Sequence, residues 1–85
     1  MVKVEIYTTR VCPYCIRAKE LLEDKGMDYT EIAVDGDPDR MSEAVKRSGG
    51  RKTVPQIFID DQHVGGYDEL EALEKKGVLN QRLST

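Results

Sequence analysis

Two cysteines, Cys12 and Cys15, are the residues of this 85-residue chain whose types and spacing are best suited to chemistry. They lie in the segment TTRVCPYC, at 8–15, where a predicted strand ends and a predicted helix begins. Free backbone N–H groups and the positive end of the helix dipole at that position favour a thiolate. The pKa of such a C-x-x-C cysteine falls to roughly 3.5–7.5, so we predict that Cys12 is a nucleophile near neutral pH. Cys15 lies one turn deeper and should be less ionised, so we predict that it resolves a mixed disulfide formed on Cys12.

The cysteine pair has two other interpretations, a zinc half-site and an inert buried pair. Structural zinc usually takes four protein ligands, whereas this chain offers one C-x-x-C and a single histidine, His63. The position of the pair between a strand and a helix favours redox chemistry over both alternatives. Two cysteines are also too few for the disulfide framework of a small secreted domain. We therefore predict a redox pair and no metal site.

The elements that must position this pair follow from hydrophobic periodicity and from residues that begin and end helices. The pattern predicts strands at 2–8, 29–34, 54–60 and 63–65, and helices at 13–25, from 38 to near 49–50, and from 68 to 77. Pro13 suits the first position of its helix because it has no N–H to leave unpaired. A last short turn is expected within 78–85.

Caps and turns complete this outline. Asp37 is the expected N-cap before Pro38, and Asp68 with Glu71 three positions later resembles a capping box. Asp61 and Gln62 are the expected tight connection of a C-terminal hairpin. The order βαβαββα therefore predicts one α/β domain, 1–85, that joins a parallel βαβ unit to an antiparallel hairpin.

Composition excludes several classes of partner. The formal net charge of −3 shows no basic excess, so we expect no nucleic-acid partner. No apolar run is long enough to span a bilayer, and the first residues lack the apolar core of a secretory signal, so we expect a cytoplasmic protein without a membrane partner. We also expect a monomer.

The chain resembles the glutaredoxins, and most closely the bacterial dithiol class with a CPYC motif. Three motifs carry this resemblance over nearly the whole chain: TTRVCPYC at 8–15, TVPQIFI at 53–59 and GGYDEL at 65–70. It implies a thioredoxin fold, with a four-stranded mixed sheet flanked by three or more helices, and a cis proline at Pro55. It also implies reduction of protein–glutathione mixed disulfides and protein disulfides, with ribonucleotide reductase among the expected substrates. Glutathione would be the reducing co-substrate, and no cofactor would be tightly bound.

The resemblance also implies a set of glutathione-binding residues. The cysteinyl backbone of glutathione would lie along Thr53, Val54 and Pro55 like an added strand, and the γ-glutamyl end would lie at Gly66, Tyr67 and Asp68. The residues themselves support part of this, because a proline before the apolar run IFI belongs at a strand start or edge, where a peptide can pair. Asp68 is expected to cap its helix and to accept from the ligand's ammonium group. The ring of Tyr14 is expected to shield the disulfide.

One position departs from the family pattern. Many glutaredoxins carry a lysine three residues before the first cysteine, where this chain has Thr9. Arg10 is adjacent and could replace it in part. Arg40, Arg51 and Lys52 are further candidates for binding the glycyl carboxylate of glutathione, and Arg40 is favoured because it lies early in the second helix.

Two alternative functions stay open at the level of sequence. One is a glutaredoxin-like hydrogen donor reduced by thioredoxin reductase, and the GGYDEL segment with Asp68 argues against it. The other is an iron-sulfur cluster carrier that bridges two subunits through Cys12 and glutathione. Family members that do this commonly have a small residue in place of Pro13, so the CPYC motif argues against it.

Overall fold

The structure of this chain is a computed structural model that describes residues 2–83. Its strands are β1 (Val4–Thr8), β2 (Thr30–Ala33), β3 (Gln56–Ile59) and β4 (Gln62–Gly65), and its helices are α1 (Pro13–Asp24), α2 (Pro38–Arg47), α3 (Tyr67–Lys75) and α4 (Leu79–Leu83). Each predicted strand and helix is present, although the first three strands are shorter than predicted and β4 begins one residue earlier. The last predicted turn is the short helix α4.

The four strands form one mixed sheet in the order β2-β1-β3-β4. β1 pairs with β2 in parallel and with β3 antiparallel, and β3 pairs with β4 antiparallel. This is the predicted combination of a βαβ unit and a hairpin. The central strand β1 ends at Thr8, so the connection to α1 carries the cysteine pair at one end of the sheet.

Two hydrophobic cores, one on each face of the sheet, hold this arrangement together. Successive strand residues point to opposite faces, which separates Val4 and Ile6 from Tyr7. The larger core joins the first of these faces to α1, α3 and α4, and its buried members are Val4, Ile6, Ala18, Leu22, Ile57, Ile59, Leu70 and Leu79. The smaller core packs α2 on the other face, through Tyr7, Val34, Ala44 and Phe58. The sheet is therefore covered on both sides, and the connections at its end remain accessible.

The hairpin turn differs by one residue from the prediction. Ile59 pairs with Gln62, so the two connecting residues are Asp60 and Asp61, and Gln62 belongs to β4. Both aspartates have positive φ, at 50° and 65°. A two-residue hairpin loop of this kind needs left-handed backbone at both positions, which aspartate tolerates better than most residues.

The start of α3 also differs from the prediction. The helix begins at Tyr67 with Gly66 as its N-cap, so Asp68 is the second helical residue and not the cap. The acidic residue three positions after the cap is Glu69, whose Oε1 accepts from the Gly66 N–H at 2.6 Å. Glu71 instead accepts from the hydroxyl of Tyr67 at 2.9 Å. The spacing of a capping box is counted from the cap, so moving the helix start by two residues changes its acidic partner.

Candidate functional site

The cysteine pair lies at the N-terminus of α1, where Cys12 is the N-cap and Pro13 occupies the first helical position. The two sulfurs are joined in a disulfide, with a Cα–Cα distance of 5.2 Å. The backbone N–H of Cys15 donates to Cys12 Sγ at 3.1 Å. Cys12 keeps 8% of its surface exposed and Cys15 keeps 1%. The prediction that Cys15 is the deeper of the two sulfurs is confirmed.

This geometry assigns different chemistry to the two sulfurs. Once the disulfide is reduced, the N–H of Cys15 and the helix N-terminus would stabilise negative charge on Cys12. Cys12 Sγ also lies 3.9 Å from the carbonyl oxygen of Val54. Since Cys15 is almost fully enclosed, an external disulfide can reach Cys12 only, and Cys15 can reach the sulfur of Cys12.

A cleft of about 200 Å³ is lined in part by Val54, whose carbonyl oxygen lies 3.9 Å from Cys12 Sγ, so the cleft lies beside Cys12. Its lining residues come from the start of α1, from the segment before β3 and from the start of α3: Tyr14, Arg51, Thr53, Val54, Pro55, Gly66, Tyr67, Asp68 and Glu69. Seven of these were named from the sequence as glutathione-binding residues and Arg51 as a candidate for the glycyl carboxylate, and the structure brings them together. Three segments far apart in the chain thus form one concave surface next to the disulfide.

The Val54–Pro55 peptide bond in this cleft is cis, as the resemblance to glutaredoxins implied. β3 begins at Gln56, immediately after the proline, which confirms the prediction that Pro55 stands at a strand start. Pro55 is buried, whereas Thr53 is exposed to the cleft. The segment can therefore present backbone groups of Thr53 and Val54 to an extended ligand.

The other wall of the cleft is the first turn of α3. Glu69 Oε1 accepts from Gly66 N–H and also from Arg51 Nη1, at 3.0 Å. These two contacts, with the Gly66 N–H as the larger cause, lower the pKa of Glu69 despite partial burial. The backbone N–H groups of Tyr67 and Asp68 belong to the first turn, where a helix has no internal acceptors for them. This wall can therefore bind an anionic group.

The basic residues proposed from the sequence lie in different places. Arg51 lines the cleft. Arg10 donates through its backbone and its side chain to Asp35, at 3.0 and 3.3 Å, and these bonds lower the pKa of Asp35. Arg40 pairs with Asp37 at 3.5 Å within the first turn of α2. Neither Arg10 nor Arg40 lines the cleft, so their contacts with glutathione stay predictions.

Two tyrosines flank the mouth of the cleft. The rings of Tyr14 and Tyr67 lie 6.3 Å apart, and the guanidinium of Arg17 lies 5.5 Å from the Tyr14 ring centre. Tyr14 is 54% exposed, and the shielding of the disulfide by its ring stays a prediction. The hydrogen bond to Glu71 is the main cause that raises the pKa of the Tyr67 hydroxyl. At neutral pH, Tyr67 therefore offers a neutral ring and hydroxyl to the cleft.

Sequence reasoning missed Glu69 as a residue of this cleft. The spacing of a capping box was present, because Glu69 stands three residues after Gly66. With the helix start predicted at Asp68, that spacing pointed to Glu71 instead. Within residues 2–83, no group of three or more histidine, cysteine, aspartate or glutamate residues could hold a metal ion. No helix in that range is long and apolar enough to cross a membrane.

Comparison with known proteins finds glutaredoxins. The sequence model of the family described as "Glutaredoxin" matches residues 4–64. The chain is 54% identical over 83 residues to glutaredoxin 3 of Escherichia coli K12, covering 98% of this chain and 99% of that protein. It is 55% identical over 84 residues to a glutaredoxin of Pseudomonas aeruginosa, covering 99% of each chain.

Solved structures agree in fold. The solution structure of a glutaredoxin from Brucella melitensis superposes with a TM-score of 0.87 at 52% identity, covering 100% of this chain and 91% of that one. A crystal structure of a buckwheat glutaredoxin–glutathione complex superposes with a TM-score of 0.88 at 28% identity, covering 98% of this chain and 77% of that one. The predicted thioredoxin-like fold is thereby confirmed.

Proposed function

This chain belongs to the glutaredoxin family of thiol-disulfide oxidoreductases and carries the family's redox-active cysteine pair, and from that premise we propose that glutathione is its reductant. Its substrates are protein–glutathione mixed disulfides and protein disulfides. The observation that carries this proposal is the cleft beside Cys12, because an extended tripeptide would lie between the segment 53–55 and the start of α3.

Glutathione would bind by backbone pairing and by charge. Its cysteinyl residue would lie along Thr53 and Val54, with its sulfur next to Cys12 Sγ, which lies 3.9 Å from the Val54 carbonyl. Its γ-glutamyl carboxylate would bind at the N-terminus of α3, with the Arg51 guanidinium adjacent. The carboxylate of Asp68 would accept from the γ-glutamyl ammonium group.

Reduction of a protein–glutathione mixed disulfide needs Cys12 alone. The Cys12 thiolate attacks the glutathione sulfur, an S–S bond forms between them, and the protein leaves as a thiolate that takes up a proton. A second glutathione thiolate then attacks the glutathione sulfur bound to Cys12. Oxidised glutathione leaves and the Cys12 thiolate is restored, so two glutathione sulfurs end in one disulfide.

Reduction of a protein disulfide needs both cysteines. The Cys12 thiolate attacks one protein sulfur and releases the other as a thiol. Cys15 then loses its proton, attacks Cys12 Sγ and releases the reduced protein, which leaves the Cys12–Cys15 disulfide seen in this structure. Two glutathione molecules reduce that disulfide and leave as one molecule of oxidised glutathione. Ribonucleotide reductase is one expected substrate of this two-thiol reaction.

Serine variants test the two assigned roles. Cys12→Ser should abolish both reactions, because no other thiol of the pair can reach an external disulfide. Cys15→Ser should keep reduction of a small glutathione mixed disulfide and lose reduction of a protein disulfide. Both reactions are measured as NADPH oxidation in the presence of glutathione and glutathione reductase. Equal loss of both reactions in the two variants would contradict the roles.

The choice of reductant is tested separately. Turnover of a small glutathione mixed disulfide is measured with NADPH and either glutathione plus glutathione reductase or thioredoxin reductase alone. We expect turnover in the first arm and little in the second. Turnover with thioredoxin reductase only would replace glutathione by a protein reductant and refute the proposal.

A further inference from the structure

The amide side chain of Gln56 is fully buried at the start of β3, directly behind the cleft. Its Nε2 donates to the backbone carbonyl of Thr53 at 3.0 Å and lies 3.3 Å from the Thr53 hydroxyl. Its Oε1 lies 2.7 Å from Nε2 of His63 on β4. One buried amide thus connects a residue that lines the cleft to a histidine on the outer strand.

The orientation of this amide follows from its partners. The carbonyl of Thr53 can only accept, so the NH₂ group of Gln56 must face it and the amide oxygen must face His63. His63 must then carry a proton on Nε2, whether its ring is neutral or charged. The ring of His63 also packs against Phe58, with 5.1 Å between ring centres. Packing and the hydrogen bond together hold the ring in one orientation.

The segment that lines the cleft has little regular backbone structure of its own and depends on such side chains. Residues 51–55 lie between α2 and β3 and belong to no strand or helix. At its other end, the buried Ser48 hydroxyl accepts from the Arg51 N–H at 3.2 Å. Gln56 is therefore the side chain that holds Thr53, next to the residues proposed to pair with glutathione.

We propose that Gln56 and His63 are positioning residues for glutathione, acting through Thr53. His63 fixes the amide of Gln56, and that amide fixes the carbonyl and hydroxyl of Thr53. Because neither side chain lines the cleft or contacts Cys12, their loss should weaken glutathione binding without changing the chemistry at sulfur. The inference rests on the proposed use of glutathione.

The kinetic test uses Gln56→Leu, His63→Phe and the matched control Gln62→Leu. Leucine removes the amide at similar volume, phenylalanine keeps the ring against Phe58, and Gln62 is an exposed residue of β4. We expect Gln56→Leu to raise KM for a small glutathione mixed disulfide about tenfold and His63→Phe about threefold, the effect of one lost hydrogen bond or less. The kcat should stay within about twofold, and the pKa of the Cys12 thiol should not change. An unchanged KM, or the same increase in Gln62→Leu, would overturn the proposal.

Nitrogen-15 NMR of His63 tests the hydrogen bond directly. In the wild-type protein at a pH where the ring is neutral, the spectrum should show the proton on Nε2, and in Gln56→Leu this preference should weaken. A wild-type ring protonated on Nδ1 would overturn the proposal. If Gln56→Leu fails to fold, the KM of the surface variant His63→Phe and the wild-type spectrum still test the positioning role.

These measurements separate this inference from the proposed function. A wild-type protein that does not turn over with glutathione refutes the proposed function, while the NMR spectrum still reports on the hydrogen bonds. A wild-type protein that turns over with glutathione, together with variants whose KM is unchanged, refutes only the positioning role.

Discussion

Glu69 caps the first turn of α3 and also lines the cleft. The loss of unfolding free energy on its removal can be worked out from its contacts. Glu69→Ala removes the acceptor for the Gly66 N–H at 2.6 Å and the partner of Arg51 at 3.0 Å. Loss of a side-chain interaction at a helix N-terminus costs about 1 kcal/mol. The ion pair adds only about 0.5 kcal/mol, because both side chains are more than 40% exposed, at 42% and 43%. We therefore expect the free energy of unfolding to fall by about 1.5 kcal/mol at pH 7.

Urea denaturation of the oxidised protein measures this change. With a slope of about 1 kcal/mol per molar urea for a domain this small, the midpoint should fall by roughly 1.5 M. Glu69→Gln keeps an oxygen that can accept from Gly66 but loses the charge, so it should show about half the effect. Glu20→Ala removes the same charge from an exposed position of α1 and should leave the midpoint unchanged.

The pH dependence has a definite sign. The Gly66 N–H and Arg51 lower the pKa of Glu69 in the folded protein, so the folded state binds this proton more weakly than the unfolded chain does. The stabilisation by Glu69 is therefore complete above the ordinary pKa of about 4.3 and is lost as the pH falls through the lower folded pKa. The difference in unfolding free energy between wild type and Glu69→Ala should be constant from about pH 6 to 8 and shrink below about pH 4. Equal midpoints for Glu69→Ala and Glu20→Ala at pH 7 would refute this reasoning.

Two further predictions concern the cores on the two faces of the sheet. Arg47→Met should lower the free energy of unfolding by about 3 kcal/mol in urea, because it removes a charged hydrogen bond to the partly buried Glu5 and a contact 4.1 Å above the Phe58 ring. Lys46→Met is the exposed control on the same helix, and an equal loss there would contradict the prediction. Leu22→Ala should lower the thermal midpoint by about 15 °C, since it opens a cavity worth about 3 kcal/mol in the larger core. A midpoint within about 3 °C of wild type would show that this core collapses around the cavity.

Local chemistry made much of this protein predictable from its sequence. The thiol pair is recognisable because Cys12 stands where a helix begins, and Pro13 marks that start by its fixed φ and missing N–H. The strand around Ile6 follows from the alternation of apolar and polar residues, a period set by the backbone, and the strand around Phe58 follows from a run of residues that favour strands. Asp37 before Pro38 likewise identifies the start of α2, and Asp37 does accept from the backbone of Arg40.

The hairpin turn and the start of α3 each have alternatives of similar energy. At these two places the prediction was wrong by one or two residues. Asp60, Asp61 and Gln62 are all acceptable in a turn, so only the pairing of Ile59 with Gln62 decides which two residues form it. Both Gly66 and Asp68 can stand at a helix N-terminus. In the structure α3 begins directly after Gly66, and this start makes Glu69 the acidic partner of the cap.

The sequence by itself determined the reactive pair, the order of strands and helices, and the motifs that resemble one family. Only the tertiary structure decided which of these basic residues lines the cleft: the sequence favoured Arg40, whereas the connection before β3 places Arg51 there. The same is true of the contact between Gln56 and His63, which exists because β3 and β4 are neighbours in the sheet. Local propensities act over a few residues, whereas these contacts depend on how distant segments pack together.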